Sequence, residues 1–171
     1  MGQLLNIITP LHKKASRDYV GRMLDDKVHC MEVARRYDKE FWDGDRRFGY
    51  GGYVYDGRYE GVARALIERY QLPAHARILD VGCGKGFLLY EFKKLLPAAT
   101  VRGFDISEYA IKNAKEELKG CLSIGKAENV FPFQDNEFDF VFSMTTLHNL
   151  QVPQLKHALQ EMERVAQQKY L

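Results

Sequence analysis

Cysteine is scarce in this chain. Cys30, Cys83 and Cys121 are the three among 171 residues, widely spaced and odd in number. That excludes a disulfide framework and a local zinc pattern, and it suits a reducing cytoplasm. Charge of one sign is lacking too: 25 Lys and Arg against 23 Asp and Glu leave a formal +2. A nucleic-acid surface would need basic residues gathered on one face, whereas Arg35-Arg36, Arg46-Arg47 and Lys93-Lys94 read as short solvated pairs. Long hydrophobic runs are missing. LLNII near the start is soon followed by Thr9-Pro10 and His12-Lys13-Lys14, without a basic leader, so no membrane span or signal segment is expected there. Repeats and low-complexity tracts are absent as well. A soluble, cytoplasmic protein with a real core is the expectation, with no nucleic-acid or membrane partner.

What is present changes rhythm along the chain. Residues 16–42 read as helical, with Val28, Met31, Ala34, Tyr37 and Phe41 at helical spacing. The stretch FWDGDRRFGYGGYVYDGRY follows, rich in glycine and aromatics. A second helical pattern covers Tyr59–Tyr70 and stops before Leu72-Pro73. Strands are then predicted at Arg77–Val81, Thr100–Asp105, Cys121–Ile124 and Phe138–Met144. Helices are predicted from the first strand's turn to about Leu96, over Glu108–Lys119, and from Pro153 through Val165. Strands alternating with helices imply an α/β fold with a Rossmann-like open parallel sheet in three layers. Residues 1–59 would form an N-terminal helical and aromatic cap, and residues 60–171 the core.

The turn after the first strand reads LDVGCGKG. A phosphate loop needs G-x-x-x-x-G-K-[ST], but Lys85 is followed by Gly86 and position 79 is leucine. A dinucleotide turn needs G-x-G-x-x-G, and its last position falls on Phe87. Cys83 alone cannot hold a metal. What remains is G-x-G-x-G at Gly82, Gly84 and Gly86. Asp105 ends the second strand about 20 residues later, where an acidic side chain accepts bonds from ribose hydroxyls. A plain strand-end cap for the next helix is the alternative for Asp105, with Ser107 competing for that job.

Together, ILDVGCGKG, GFDIS and GKAENVFPFQDNEFDFVFSMTTLHNL resemble the successive motifs of class I S-adenosylmethionine-dependent methyltransferases, over roughly Arg77 to Val165. The resemblance implies S-adenosyl-L-methionine as cofactor. It implies that Gly82, Cys83, Gly84 and Gly86 let the backbone approach the methionine half, that Asp80 orients the turn and the cofactor ammonium, and that Asp105 holds the ribose. Ile106, Ala127 and Glu128 would border the adenine. One position departs from the family: Lys126 stands where an acidic residue often reads the adenine amino group, and a lysine cannot accept that bond.

The loop after the fourth strand, SMTTLHNL, would face the methyl acceptor. It is neither the Asn-Pro-Pro-Tyr loop of enzymes acting on adenine or glutamine amino groups nor the Pro-Cys pair of cytosine C5 methylation. A small-molecule acceptor, methylated on oxygen or nitrogen, is therefore favoured. His148 is the candidate base, since an imidazole titrates near neutrality; the bland alternative is a polar loop residue. Tyr50, Tyr53 and Tyr55 offer flat surfaces, while Arg47 and Arg58 could pair with an anionic acceptor. A non-catalytic binding module and, behind it, a dinucleotide-dependent oxidoreductase are the competing functions. The family core resembles a seven-stranded sheet ordered 3-2-1-4-5-7-6, and this sequence supplies four strands, with a fifth due at Lys169–Leu171. The expectation is a shortened sheet whose exposed fourth strand invites self-association or a completing partner.

Overall fold

A computed structural model describes residues 7–8, 20–21 and 25–167. Its centre is a four-stranded, all-parallel sheet: β1 (Arg77–Val81), β2 (Thr100–Asp105), β3 (Leu122–Ile124) and β4 (Phe140–Phe142), in the order β3-β2-β1-β4. Leu79 of β1 lies between Arg102 of β2 and Val141 of β4. A strand in this position must be apolar on both faces, and Ile78, Leu79 and Val81 are fully buried.

The two faces carry separate cores. On one, Ile78 and Phe140 pack with Leu66 from α3 (Glu60–Tyr70) and with Leu89 and Phe92 from α4 (Phe87–Leu95). On the other, Leu79 and Val141 pack with Ala158, Met162 and Val165 from α6 (Val152–Val165). Sheet between helices gives the three layers of a Rossmann-like α/β fold. Parallel strands joined by helical crossovers bring every β-to-α turn to the carboxyl edge of the sheet, where ligands bind in such folds.

Several elements are shorter than their sequence patterns suggest. The helix expected over residues 16–42 resolves, within the described part, into α1 (Lys27–Ala34) and α2 (Lys39–Asp43). Tyr37 breaks it with a left-handed φ of 50°, and Asp38 starts the next helix by accepting the Glu40 N–H. The helix expected to reach Lys119 ends as α5 (Glu108–Lys112), and Lys115 turns extended before a 3-10 turn at Glu116–Leu118. Leu118 is nevertheless fully buried.

The FDFVFSM run pairs as a strand only over β4. Its first residue, Phe138, bonds outward instead: its N–H donates to Val165 O at 2.9 Å, and its carbonyl accepts from Gln167 N at 2.8 Å. Pairing beyond β4 thus begins as the chain leaves α6, at Ala166. The fifth strand expected at Lys169–Leu171 lies outside the described residues. Among those described, no helix is long and apolar enough to cross a membrane.

Candidate functional site

The glycine turn is held against β2 by the N–H groups of Gly82 and Cys83, which both donate to Phe104 O at 2.9 and 3.0 Å. All three turn glycines have left-handed φ. A Cβ on Gly82 would overlap Thr146, and one on Gly84 would lie 2.8 Å from the Trp42 ring. Gly86 differs, because its missing side chain makes room for Leu118 and Leu122 beneath the turn.

Asp105 joins the turn to the end of β2. Its Oδ2 accepts from Gly84 N and its Oδ1 from Ser107 N, each at 2.8 Å. Ser107, not Asp105, caps α5, with Oγ accepting from Ala110 N at 3.0 Å. Each carboxylate oxygen of Asp105 therefore keeps acceptor capacity. Burial pushes this carboxyl up, against the two N–H donors that pull it down. Asp80, deeper, is raised well above the ordinary value by burial and then by the Asp105 charge. Its Oδ1 is buried with no hydrogen-bond partner among the described residues. A buried, unanswered carboxylate oxygen is costly, and a cationic or hydrogen-donating ligand removes the cost.

These groups open into a cavity of about 310 Å³. Asp80, Gly82, Cys83, Gly84, Asp105 and Ile106 line its floor, Ala127 and Glu128 one side, and Met144, Thr145 and Thr146 from the loop after β4 another. The aromatic segment closes it with Trp42, Tyr50 and Tyr53. Six residues singled out in the sequence stand elsewhere, among them Tyr55, whose Oη donates to Glu91 Oε1 at 2.7 Å outside the lining. Gly86 packs under the turn. Arg47 is paired with Asp25 at 2.5 Å and Arg58 with Asp56 at 2.6 Å, so neither guanidinium reaches the cavity as the expected anion partner. His148 sits exposed in a 3-10 turn (Leu147–Asn149), where its neighbour Asn149 lines the cavity instead. Lys126 is exposed and likewise off the lining.

Residues that the sequence did not single out hold the cap in place. Lys85 Nζ reaches Asp43 at 2.7 and 2.8 Å and Tyr53 O at 2.8 Å. Trp42 Nε1 donates to Ser107 Oγ at 2.8 Å and to Tyr37 O at 3.1 Å. Thr145 is left-handed, with φ of 59°, a strained state for a β-branched residue and a common mark of a functional loop. Only the lysine inside VGCGKG gave a signal in sequence.

Residues 78–169 match the family model described as "Methyltransferase domain". The chain belongs to this family, the class I S-adenosylmethionine-dependent methyltransferases. The human protein named "Arginine-hydroxylase NDUFAF5, mitochondrial" is 32% identical over 65% of this chain and 32% of its own length. The "Demethylmenaquinone methyltransferase" of Staphylococcus carnosus is 34% identical over 60% of this chain and 43% of its own. The chain thus spans less than half of either relative. Among solved structures, the YcgJ protein of Bacillus subtilis is 26% identical with a TM-score of 0.52, covering 62% of this chain and 46% of that one. The PH0226 protein of Pyrococcus horikoshii shares the fold, with a TM-score of 0.57 at 23% identity over 80% of this chain and 61% of that one.

S-adenosyl-L-methionine is the cofactor of this methyltransferase family, and the residues present fit it. The unpartnered Asp80 Oδ1 suits an ammonium, the free lone pairs of Asp105 suit ribose hydroxyls, and the bare backbone at Gly82 and Gly84 leaves room for a close approach.

Proposed function

We propose that this chain transfers a methyl group from S-adenosyl-L-methionine to an oxygen or nitrogen of a small-molecule acceptor. The observation that carries the reading is the buried, unpartnered Asp80 oxygen beside the glycine turn and Asp105. Asp80 and Asp105 would hold the cofactor, which when bound would supply an electrophilic methyl to the acceptor's lone pair, its sulfur keeping the carbon–sulfur electron pair and the acceptor's proton leaving to water.

The chain's own residues contribute alignment, which is most of what such a displacement needs. Asp80 and Asp105 fix the cofactor's two polar ends, while Trp42, Tyr50 and Tyr53 limit the water above it. Tyr53 Oη, raised by burial and by Tyr59, stays protonated near neutrality and serves as wall rather than base. One relative is named demethylmenaquinone methyltransferase and another malonyl-[acyl-carrier protein] O-methyltransferase, and the second name supports transfer to oxygen.

Calorimetric titration with S-adenosylmethionine, S-adenosylhomocysteine and NAD tests the reading. Binding of the first two without NAD is expected; binding of NAD alone would move the chain to the oxidoreductases. Because some relatives are named arginine hydroxylases, methylated product must be sought by mass as well. Cofactor binding with no methylated product from any acceptor class would favour a binding module.

A further inference from the structure

S-adenosyl-L-methionine carries a carboxylate on the carbon that bears its ammonium, and the groups at the turn do not answer it. With the ammonium at Asp80, that carboxylate enters beside Asp80 and Asp105 and needs donors of its own. No Lys, Arg or His lines the cavity among the described residues. The glycine turn has little to offer either. Gly82 N and Cys83 N donate to Phe104 O, Gly84 N to Asp105 Oδ2 and Gly86 N to Cys83 O.

The side-chain donors of the lining narrow the choice. Trp42 Nε1 is committed to Ser107 and Tyr37, Tyr53 Oη to Tyr59, Thr146 Oγ1 to Gly82 O and Asn149 Nδ2 to Thr146 O. Tyr50 and Thr145 differ. Both line the cavity, one from the cap and one from the loop after β4, and their side chains hydrogen-bond to each other. Thr145 also precedes the threonine that crowds Gly82, which places the pair at the methionine end of the turn. Resting on the cofactor reading above, we propose that Tyr50 Oη donates to the cofactor's carboxylate and that Thr145 positions Tyr50 to do so.

The direction of the bond between them matters. Burial pushes the Tyr50 phenol up, and the bond from Thr145 pulls it part of the way back. A bond that favours the phenolate is one in which Thr145 donates, so the Tyr50 O–H is left to donate elsewhere. The net rise keeps that proton in place near neutrality. Thr145 makes its bond from a left-handed φ of 59°, a strain that a β-branched residue keeps only where its surroundings fix it. A hydroxyl donating to a carboxylate forms a charge-assisted bond, roughly twice as strong as a neutral one.

The test compares two ligands by calorimetry: S-adenosylhomocysteine and its decarboxylated form, the 3-aminopropyl thioether, which keeps the adenosine, the sulfur and the ammonium. Tyr50→Phe removes one oxygen, and Thr145→Gly suits the left-handed backbone, so both variants should fold. Tyr50→Phe is expected to weaken S-adenosylhomocysteine about tenfold and the decarboxylated ligand by less than about twofold. Thr145→Gly should show the same split at about threefold, since it acts through Tyr50. Equal losses on the two ligands, or no loss on either, would overturn the inference while the cofactor reading stands. Failure of the parent to bind either ligand overturns that reading, and the inference with it.

Discussion

Lys85 and Asp43, 42 residues apart, form an ion pair at 2.7 Å in which the lysine side chain is only 6% exposed. Asp43 also accepts from Tyr53 N at 3.0 Å and Tyr109 Oη at 2.8 Å, and Lys85 also donates to Tyr53 O. One buried cation thereby ties the glycine turn to the aromatic segment that roofs the cavity. The geometry of the cofactor floor and of the aromatic wall is set by the same contact.

Removing the two partners should not cost the same. Asp43→Ala strands a buried ammonium and should destabilise the fold by about 3 kcal/mol, whereas Lys85→Met leaves a partly solvated carboxylate with two other donors and should cost about 1–2 kcal/mol. Urea unfolding of both variants checks the order. Burial pushes the Asp43 carboxyl up, but the bonds from Lys85, Tyr109 and Tyr53 outweigh it and hold it below its ordinary 3.8. A depressed carboxylate stabilises above its unfolded pKa and loses that contribution as pH falls through the folded value. Acid unfolding of the parent should therefore steepen below about pH 4, and less so in Lys85→Met.

Gly84→Ala should strain the turn by about 1–2 kcal/mol, since φ is left-handed there. The new Cβ would also meet Trp42, the single tryptophan of the chain. The expected signature is a red-shifted Trp42 emission as the ring is pushed toward solvent, together with weaker S-adenosylhomocysteine binding. Unchanged emission would mean that the cap does not rest on the turn.

Asp80 links pH to the ligand. Its folded pKa is raised by burial and by Asp105, so its contribution to stability is full below the unfolded value and is lost as pH rises through the folded one. The ligand-free chain should lose thermal stability from this group over that rise, while affinity for S-adenosylmethionine increases as the carboxylate becomes available to the ammonium. Asp80→Asn should flatten both trends, as thermal midpoints and titrations across pH will show.

His148→Ala should leave S-adenosylhomocysteine affinity unchanged and turnover within about threefold of the parent, because the side chain is exposed and off the cavity lining. A hundredfold loss of turnover on an identified acceptor would return the imidazole to the chemistry.

The central strand was legible because burial on both faces leaves an apolar run that polar loops cannot imitate, as at Arg77–Val81; Thr100–Asp105 is also found at its expected limits, although Thr100 and Arg102 are exposed. The floor of the cavity was legible for a related reason, since Gly82, Gly84 and Asp105 are close to each other through one turn and one neighbouring strand. The cap was harder. Arg47 and Arg58 read as free cations in sequence, but local carboxylates at Asp25 and Asp56 claim them. Trp42 and Asp43 reach the site only through packing against residues about 40 to 65 positions away, which no local pattern encodes. The helix expected through Tyr37 failed because one residue adopted a left-handed conformation that periodicity cannot register.

The most direct test of the central claim is calorimetric titration of S-adenosylhomocysteine into the parent and into Asp105→Asn, with circular dichroism confirming that both are folded. Asp105 is the one carboxylate that meets the turn, β2 and the cavity together. If it holds the ribose, the parent binds and the variant loses roughly 1.5–3 kcal/mol, about tenfold to a hundredfold in affinity. Equal affinity in a folded variant, or no binding by the parent, would contradict the account.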